Sequence, residues 1–225
     1  MIVLLVHDTR CTSYDLASSS GSHPAHDRNI HEGLRASGNT SCPEPATINP
    51  CVCTYTLQQG LIDLDCSHVT EEQLQNVFSN LSSGTHFRRF YMNENTYIRV
   101  LRYGVFSKVS FNEIYMYGGI LQEVEHGVLE ESQLTLQRMI FTDNDITKFP
   151  FEDIQTFSNL NYINIYLNNI NEISSLKSNS LKELHLGNNP LGQLPIDVFK
   201  GLTTIEKIEV SFAGLTNIQP GTFLK

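Results

Sequence analysis

The chain has no tryptophan, few charged residues and, at its N-terminus, only one short apolar run, Ile2 to Val6. A membrane-spanning helix needs about 20 apolar residues, so this run is too short to cross a membrane and short even for a signal-peptide core. The sequence offers no other spanning segment. We therefore expect a soluble mature protein without a membrane span.

Basic residues are scarce. The chain has 15 Lys and Arg against 24 Asp and Glu, a net charge of −9. Nucleic-acid binding requires a clustered basic face, which this balance does not favour. The sequence therefore predicts no nucleic-acid partner.

The motifs of common enzyme classes are also missing. The sequence has no G-x-S-x-G, no H-E-x-x-H, no phosphate-binding glycine loop and no G-x-G-x-x-G. Gly118-Gly119 is an isolated Gly-Gly dipeptide at a turn, where the conformational freedom of glycine is the simplest explanation. We predict no catalytic residue, no cofactor and no metal site, and an enzyme is the remote alternative. Four histidines follow the cysteine cluster: His68, His86, His126 and His185. Each lies in a different part of the chain, so they form no cluster in the sequence.

Cysteine is confined to the first third of the chain. Cys11 stands alone, and Cys42, Cys51, Cys53 and Cys66 form a cluster. An even, closely spaced cluster indicates two disulfides and an oxidising compartment. Zinc is the rival interpretation, but C-x-C is a poor tetrahedral pair and no histidine lies inside the cluster.

Residues 1–41 differ from the rest in composition, being rich in Ser, Gly, His and Asn without apolar periodicity. Such a segment is predicted to be a disordered arm or the remnant of a leader. A metal site formed by His23, His26 and His31 is the less favoured alternative, because a flexible segment offers no rigid second shell. Cys11 is interpreted as a leftover of the leader or as a free thiol.

From Leu181 the chain reads LKELHLGNNPLGQLP, which follows the leucine-rich-repeat pattern L-x-x-L-x-L-x-x-N-x-L. Leu184 and Leu186 flank His185 with the period of two that a strand requires. Asn189 lies at an otherwise buried position, where its amide can bond backbone groups that turn inward. One such unit cannot bury its apolar face alone, so neighbouring units are expected.

The same register extends over six units, from Phe87 to the end of the chain. Spacings between units are 24, 25, 24, 21 and 24 residues. We number the positions of each unit as offsets from the first leucine of the pattern, so that Leu181 is offset one. Offsets one, four and six are apolar in every unit, and offset nine is Asn in four of the six. These offsets, with offset eleven, are occupied by Phe87, Phe111, Leu136, Leu160, Leu181 and Ile205 (one); Phe90, Ile114, Met139, Ile163, Leu184 and Ile208 (four); Met92, Met116, Phe141, Ile165, Leu186 and Val210 (six); Asn95, Gly119, Asn144, Asn168, Asn189 and Ala213 (nine); and Tyr97, Leu121, Ile146, Ile170, Leu191 and Leu215 (eleven).

Residues 42–86 precede these units and have the features of an N-terminal cap. Gly60 marks a turn before a strand-like LIDLDC segment, and Thr70 with Gln73 forms a capping box. The apolar residues from Leu74 to Leu81 follow helical spacing. The predicted organisation is therefore an arm (1–41), a cysteine-rich cap (42–86) and six leucine-rich repeats, the last incomplete (87–225).

The end of the last unit, at Phe223, is not followed by a second cysteine cap. Solenoids need terminal caps, so its apolar edge is expected to be bare. A longer parent chain, a partner or a second copy would then cover it.

Outward positions follow from the register at offsets three, five and seven. They carry a tyrosine-rich stripe that we predict to contact a protein partner, because clustered Tyr is typical of binding hot spots. Exposed aromatic residues also raise β-propensity by pairing across strands, so a purely structural role stays open. The predicted contact residues are Tyr91, Tyr115, Tyr117, Arg138, Tyr162, Tyr166 and His185.

Two glycosylation sequons support an extracellular location. One begins at Asn39 and the other at Asn80, which lies at the predicted end of the cap helix, where a glycan would point into solvent.

The cap also carries a resemblance. The segment from Cys42 to Ser67, which includes INPCVC and GLIDLDCS, and the following Glu72-Gln73-Leu74 and Val77-Phe78 resemble the cap of a family of secreted arthropod leucine-rich-repeat proteins. That family includes a non-catalytic subunit of a shrimp luciferase. The resemblance implies disulfides Cys42–Cys53 and Cys51–Cys66, although the Cys42 to Cys51 gap is longer than the usual C-x3-C spacing.

The resemblance further implies a non-catalytic partner of a separate enzyme chain. The sequence as a whole thus predicts an α/β leucine-rich-repeat solenoid with a curved parallel sheet and a disulfide-bonded N-terminal cap. We expect a secreted protein that binds another protein, with a small catalytic oxidase-type subunit as the partner that the resemblance implies. The alternative is a fragment of a secreted pattern-recognition or adhesion ectodomain.

Overall fold

The computed structural model describes residues 3–5, 41–56, 60–220 and 222–223. For residues 3–5 only the backbone is described. The expectations for most of the 1–41 arm therefore lie outside the described residues. They include those for Cys11, His23, His26, His31 and the sequon at Asn39.

Disulfides close the N-terminal part of the described chain. The structure joins Cys42 to Cys53 and Cys51 to Cys66, with Cα–Cα distances of 5.7 and 4.5 Å. These are the pairs that the resemblance implied. Cys51 and Cys66 are buried, whereas Cys42 and Cys53 are partly buried against the core. The second bridge is therefore part of the core and the first lies at its margin.

Helix α2 (Glu71–Asn80) has the predicted capping box. The Thr70 side chain accepts a hydrogen bond from the Gln73 backbone N–H, and the Gln73 side chain accepts one from the Thr70 N–H. Because two of the four unpaired N–H groups at the helix start are satisfied, the helix begins at a defined residue. Its apolar face, Leu74, Val77 and Phe78, is buried.

Phe78 joins this helix to the sheet through aromatic contacts. Its ring lies edge-on to Phe106 at 4.7 Å and to Phe90 at 5.7 Å between ring centroids. Phe106 in turn packs edge-on against Phe111 at 5.3 Å. Edge-to-face pairs add stabilisation to the area they bury. Helix α2 and the sheet residues Phe90 and Phe111 therefore share one continuous core.

The other helices of the described chain are short. An α-helix, α1 (Pro45–Ile48), precedes α2, and 3-10 helices span Glu130–Ser132 and Phe151–Thr156. The strands are β1 (Val3–Leu5), β2 (Val52–Thr56), β3 (Leu61–Asp65), β4 (Thr85–Tyr91), β5 (Val100–Leu101), β6 (Val109–Tyr115), β7 (Glu123–Val124), β8 (Arg138–Ile140), β9 (Tyr162–Asn164), β10 (Lys177–Ser178), β11 (Glu183–His185), β12 (Gly201–Leu202) and β13 (Lys207–Glu209).

The main sheet is open and mostly parallel. In the described part of the chain it has nine strands in the order β1-β13-β11-β9-β8-β6-β4-β3-β2, and only the β2–β3 hairpin is antiparallel.

In the main sheet, strands β4, β6, β8, β9, β11 and β13 pair in the predicted register. Residues at offset four lie side by side, as in the series Phe90, Ile114 and Met139. Every residue at offsets one, four and six is buried. The repeat period thus places all of these apolar side chains on one side of the sheet, where they form the core.

The asparagines at offset nine bond backbone groups, as their buried position predicts. Asn168 donates from Nδ2 to the carbonyl oxygens of Phe141 (2.7 Å) and Ile165 (3.1 Å), and its Oδ1 accepts from the Ile146 N–H (3.0 Å). Asn189 makes the equivalent bonds one unit later. Each amide therefore links two neighbouring units through their main chains.

Gly119 replaces asparagine at offset nine, and space rather than backbone freedom explains it. A Cβ atom there would lie 2.7 Å from Oδ1 of Asn144 and 3.0 Å from the carbonyl oxygen of Asn95. The neighbouring Gly118 does adopt a left-handed conformation, with φ of 69°. Limited space thus explains Gly119, and a left-handed backbone explains Gly118. The sequence indicated only the backbone explanation.

Offset eleven differs from the prediction in the first unit. Tyr97 is 59% exposed, and the next residue, Ile98, is buried in its place. The Oδ1 of Asn95 accepts from the backbone N–H of both residues. The polar tip of Tyr97 can stay in water while Ile98 fills the core.

The far edge of the sheet differs from the expectation of a bare edge. Strand β1 lies parallel to β13, with Val3 opposite Lys207 and Leu5 opposite Glu209. Phe223 stacks on Phe199, with 5.4 Å between ring centroids. The last unit is therefore covered in part by the chain itself.

Candidate protein-binding face

The outward face is the side of the sheet opposite the core, formed by offsets three and five of each strand and offset seven just beyond. Parallel pairing places equal offsets of neighbouring strands side by side. Tyr91 thus lies beside Tyr115, and Arg138 lies between Glu113 and Tyr162. All of these positions except Glu113 are predicted to contact a partner, and the register determines which of them meet.

Tyr91 and Tyr115 form the first cluster. Their rings are stacked, 5.2 Å apart and inclined by 25°. The Tyr115 hydroxyl donates to Oε2 of Glu113, which also accepts from Nε of Arg89 at 3.0 Å. Four side chains on two strands are therefore held by one another.

These contacts change the proton affinity of the cluster. Burial raises the pKa of Tyr115, and the hydrogen bond and negative charge of Glu113 raise it further. For Arg89, burial alone would lower the pKa, but the hydrogen bond and charge of Glu113 outweigh it and the pKa is raised. Both side chains therefore keep their protons at neutral pH.

Arg138, Tyr162 and His185 form the second cluster. The guanidinium carbon of Arg138 lies 3.9 Å from the centre of the Tyr162 ring, a cation–π contact. On the other side, the rings of Tyr162 and His185 are 5.3 Å apart. His185 also lies within 3.3 Å of Oε2 of Glu183. The predicted surface histidine is thus half-buried between a ring and a carboxylate.

Tyr117 and Tyr166 lie at offset seven, where the chain leaves the strands. Tyr117 is 49% exposed and makes no ring contact with another described residue. The Tyr166 hydroxyl accepts a hydrogen bond from Nδ2 of Asn188. Tyr117 is therefore open to solvent, whereas Tyr166 is fixed in place.

The structure thus brings the seven predicted contact residues onto one face but divides them into two clusters and two separate tyrosines. The predicted set omitted three charged residues that hold the clusters: Arg89, Glu113 and Glu183. Their outward offset was evident from the repeat register. Their pairing was not, because it depends on which carboxylate each long side chain turns towards.

A second titratable group lies away from this face. His126 Nδ1 is 2.5 Å from Oδ1 of Asp153, and the Gly127 N–H donates to the other carboxylate oxygen. Burial raises the pKa of Asp153, against the opposing effects of these two partners.

In the described part of the chain, no group of three or more His, Cys, Asp or Glu side chains is placed to hold a metal ion.

One apolar cavity borders the core among the described residues, and it is small. Bordered by Met139, Phe141 and Phe157, it has a volume of about 10 Å³. That is room for a single water molecule, far below the several hundred Å³ of a typical small-molecule site. A larger feature of the described residues is an open groove of about 410 Å³ beside Lys148 and Glu172.

Asn80, the start of the second sequon, is the last residue of α2 and is exposed. Its side chain is therefore accessible. Among the described residues, no helix is long and apolar enough to span a bilayer.

Comparison with known proteins confirms the resemblance seen in the cap. The chain is similar to the non-catalytic subunit of oplophorus-luciferin 2-monooxygenase from Oplophorus gracilirostris, with 29% identity over 191 residues. The aligned region covers 84% of this chain and 53% of that subunit, so the chain spans about half the length of its relative. No family model matches the chain.

Proposed function

We propose that this chain is a non-catalytic, extracellular leucine-rich-repeat scaffold that binds another protein through its outward face. The fold supports a scaffold of this kind. Its parallel strands recur in chain order, their apolar offsets form one core, and the asparagine amides join successive units. In a solenoid, such stacking produces an extended face suited to large partners.

The proposed location rests on the disulfides and on the relative. Two bridges among the described residues, one of them in the core, are typical of proteins that fold in an oxidising compartment. An exposed sequon at Asn80 agrees with passage through the secretory pathway.

The proposed partner follows from the relative's name. A non-catalytic subunit of a monooxygenase implies a catalytic chain beside it. We therefore propose a small oxidase-type catalytic subunit as the partner of this chain, which itself performs no catalysis. The missing enzyme motifs and the small core cavity agree with a binding role.

The single observation that carries the proposal is the arrangement of the tyrosines. If they served only to pair across strands, each would be expected to pack against a neighbour. Tyr91, Tyr115 and Tyr162 do so, but Tyr117 is half exposed and without a ring contact among the described residues. The fixed rings offer contact area at little further entropy cost, and Tyr117 offers a free anchor.

Partner capture with matched variants tests the proposal. The tagged protein is used to recover secreted proteins, and the recovered partner is then titrated against Tyr117→Ala, Tyr166→Ala and Tyr115→Ala. Each substitution is expected to weaken binding about tenfold or more, as hot-spot tyrosines do. Tyr97→Ala is the control, because Tyr97 is also exposed but lies outside the outward face.

Thermal unfolding separates binding from folding effects. Tyr117→Ala is expected to leave the thermal midpoint nearly unchanged. Tyr115→Ala is expected to lower it modestly, because its ring stacks on Tyr91 and its hydroxyl donates to Glu113. If Tyr117→Ala and Tyr97→Ala bound the partner equally well, the outward face would not be the contact surface. Recovery of a cell-surface protein or a glycan in place of an oxidase-type chain would favour the adhesion or pattern-recognition alternative.

A further inference from the structure

The guanidinium of Arg138 has no acidic partner among the described residues of the outward face. Among the described residues it makes no ion pair or hydrogen bond, and its only specific contact is with the Tyr162 ring. A guanidinium has five N–H donors in a planar fork that matches a carboxylate. A half-buried arginine held by its flat face therefore keeps its donor edge available.

The neighbouring carboxylates are engaged elsewhere. Glu113 lies directly beside Arg138 in the sheet register, but its Oε2 is bonded by Arg89 and by the Tyr115 hydroxyl. Glu183, two strands away from β8, lies within 3.3 Å of His185 and 4.0 Å of Lys207. At offset three, opposite charges are thus paired on both sides of Arg138, and Arg138 has no charged partner in the part of the chain that the structure describes.

We infer that Arg138 is the docking point for an acidic side chain, Asp or Glu, of the protein partner. The inference rests on the proposed function and specifies the chemistry of its contact. The Tyr162 ring holds the guanidinium, and the partner's carboxylate accepts two parallel hydrogen bonds from it. On the adjoining strand positions, Ile140 and Tyr115 are half-buried and offer contacts to the side-chain methylenes.

The charge pattern favours a single carboxylate over a polyanion. One cation, Arg138, lies between Glu113 and Glu183 without an ion pair to any described residue, within a chain of net charge −9. A sulfated glycan or a nucleic acid would bring several negative charges towards those carboxylates, and it binds best to clustered cations. A partner side chain places one charge at one point and avoids that repulsion.

A peptide-display experiment tests the inference with a defined probe. Random short peptides displayed on phage are selected on the purified full chain, and a recovered peptide is synthesised with each acidic residue in turn changed to its amide. We expect selected peptides to carry an Asp or Glu whose amide copy binds about ten- to a hundredfold more weakly, the usual contribution of a charged hydrogen-bonded pair. Arg138→Gln should cause the same loss and should bind the acidic and amide peptides equally.

Matched variants refine the result. Arg138→Lys keeps the charge but not the fork, so intermediate affinity is expected. Tyr162→Leu should weaken binding of the acidic peptide because the guanidinium loses its support. Arg99→Gln is the control, since Arg99, like Arg138, is in no ion pair among the described residues, and it is exposed. It should leave the affinity unchanged.

The outcomes separate the two proposals. Peptides that lose affinity with Tyr117→Ala but not with Arg138→Gln would overturn the carboxylate site and leave the protein-binding face standing. Peptides insensitive to both substitutions, or the recovery of none, would contradict the proposed function and the carboxylate site with it. Heparin oligosaccharides or phosphopeptides that compete more strongly than the acidic peptide would overturn the single-carboxylate chemistry.

Discussion

The Tyr115 hydroxyl donates a hydrogen bond to Oε2 of Glu113, the same oxygen that accepts from Arg89 at 3.0 Å. One carboxylate oxygen thus holds a phenol and a guanidinium from neighbouring strands. Because the three groups are partly removed from water, the charge on Glu113 affects both partners. The outward face is therefore an interdependent set of side chains, and a change at Glu113 is expected to reach Tyr115.

This relationship predicts the alkaline behaviour of Tyr115. Its native pKa is raised above the ordinary value of 10.0 by burial and then by Glu113. The unfolded chain therefore releases this proton first as the pH rises. The difference between the native and unfolded pKa of Tyr115 stabilises the folded state. This contribution is fully present below pH 10 and is lost as the pH rises through the raised native pKa. We expect the phenolate absorbance assigned to Tyr115, by difference from Tyr115→Phe, to appear above pH 10.

Glu113→Gln provides the control for the cause of the shift. Removing the negative charge should lower the pKa of Tyr115, so that its phenolate forms at a lower pH than in the wild type. An unchanged titration in this variant, or a wild-type Tyr115 that ionises at or below pH 10, would refute the role of Glu113.

The row of asparagines at offset nine, the asparagine ladder, predicts a clear stability difference between Asn168 and its neighbour Asn169. Asn168→Ala should lower the free energy of unfolding by about 1–3 kcal/mol, because the Ile146 N–H and the Phe141 carbonyl lose a buried partner. Asn169→Ala should change it by less than about 0.5 kcal/mol, since Asn169 is exposed. Urea unfolding measures both. If the two variants proved equally stable, the ladder would not contribute as described.

Gly119→Ala tests whether space is limiting at offset nine. The added methyl group would meet Oδ1 of Asn144 at 2.7 Å, so we expect a loss of about 1–3 kcal/mol. In an Asn144→Ala background the same substitution should cost less, although the contact with the Asn95 carbonyl at 3.0 Å remains. A double-mutant cycle by urea unfolding measures this coupling. Simple additivity would show that the two side chains do not compete for the space.

The two disulfides should contribute unequally. Replacing Cys51 and Cys66 by Ser should cost about 2–5 kcal/mol, because this bridge is buried in the core. The equivalent change at Cys42 and Cys53 should cost less, since that bridge lies at the margin. Denaturant unfolding compares the pairs, and non-reducing peptide mapping checks the connectivity. Four free thiols, or zinc in the purified protein, would contradict both bridges.

Much of the fold was predictable because repetition averages out local ambiguity. A single strand such as Lys207–Glu209 carries little signal, but its place in a period of about two dozen residues determines which of its side chains face the core. The capping box at Thr70 was predictable for a different reason, since both of its partners lie within one helical turn. Local rules and periodicity thus accounted for the core.

The errors lie where one unit departs from the period. Nothing in the register indicated that Ile98 rather than Tyr97 would enter the core, because both are large and follow Asn95 closely. The role of Gly119 was equally hidden, since the side chain that excludes a Cβ belongs to the next unit. The pairing of β1 with β13 joins residues about 200 positions apart and leaves no local signature.

By itself the sequence determined the repeat period, the core side of each strand and the outward placement of the tyrosines, because backbone alternation and apolar spacing encode them. Tertiary structure decided which outward residues contact one another. Glu113 could have turned towards either Arg89 or Arg138, its neighbours on the two adjacent strands. It bonds Arg89, and so Arg138 rests on Tyr162 with its donor edge free of any described carboxylate. That choice depends on side-chain packing and charge across three strands, which no single stretch of sequence contains.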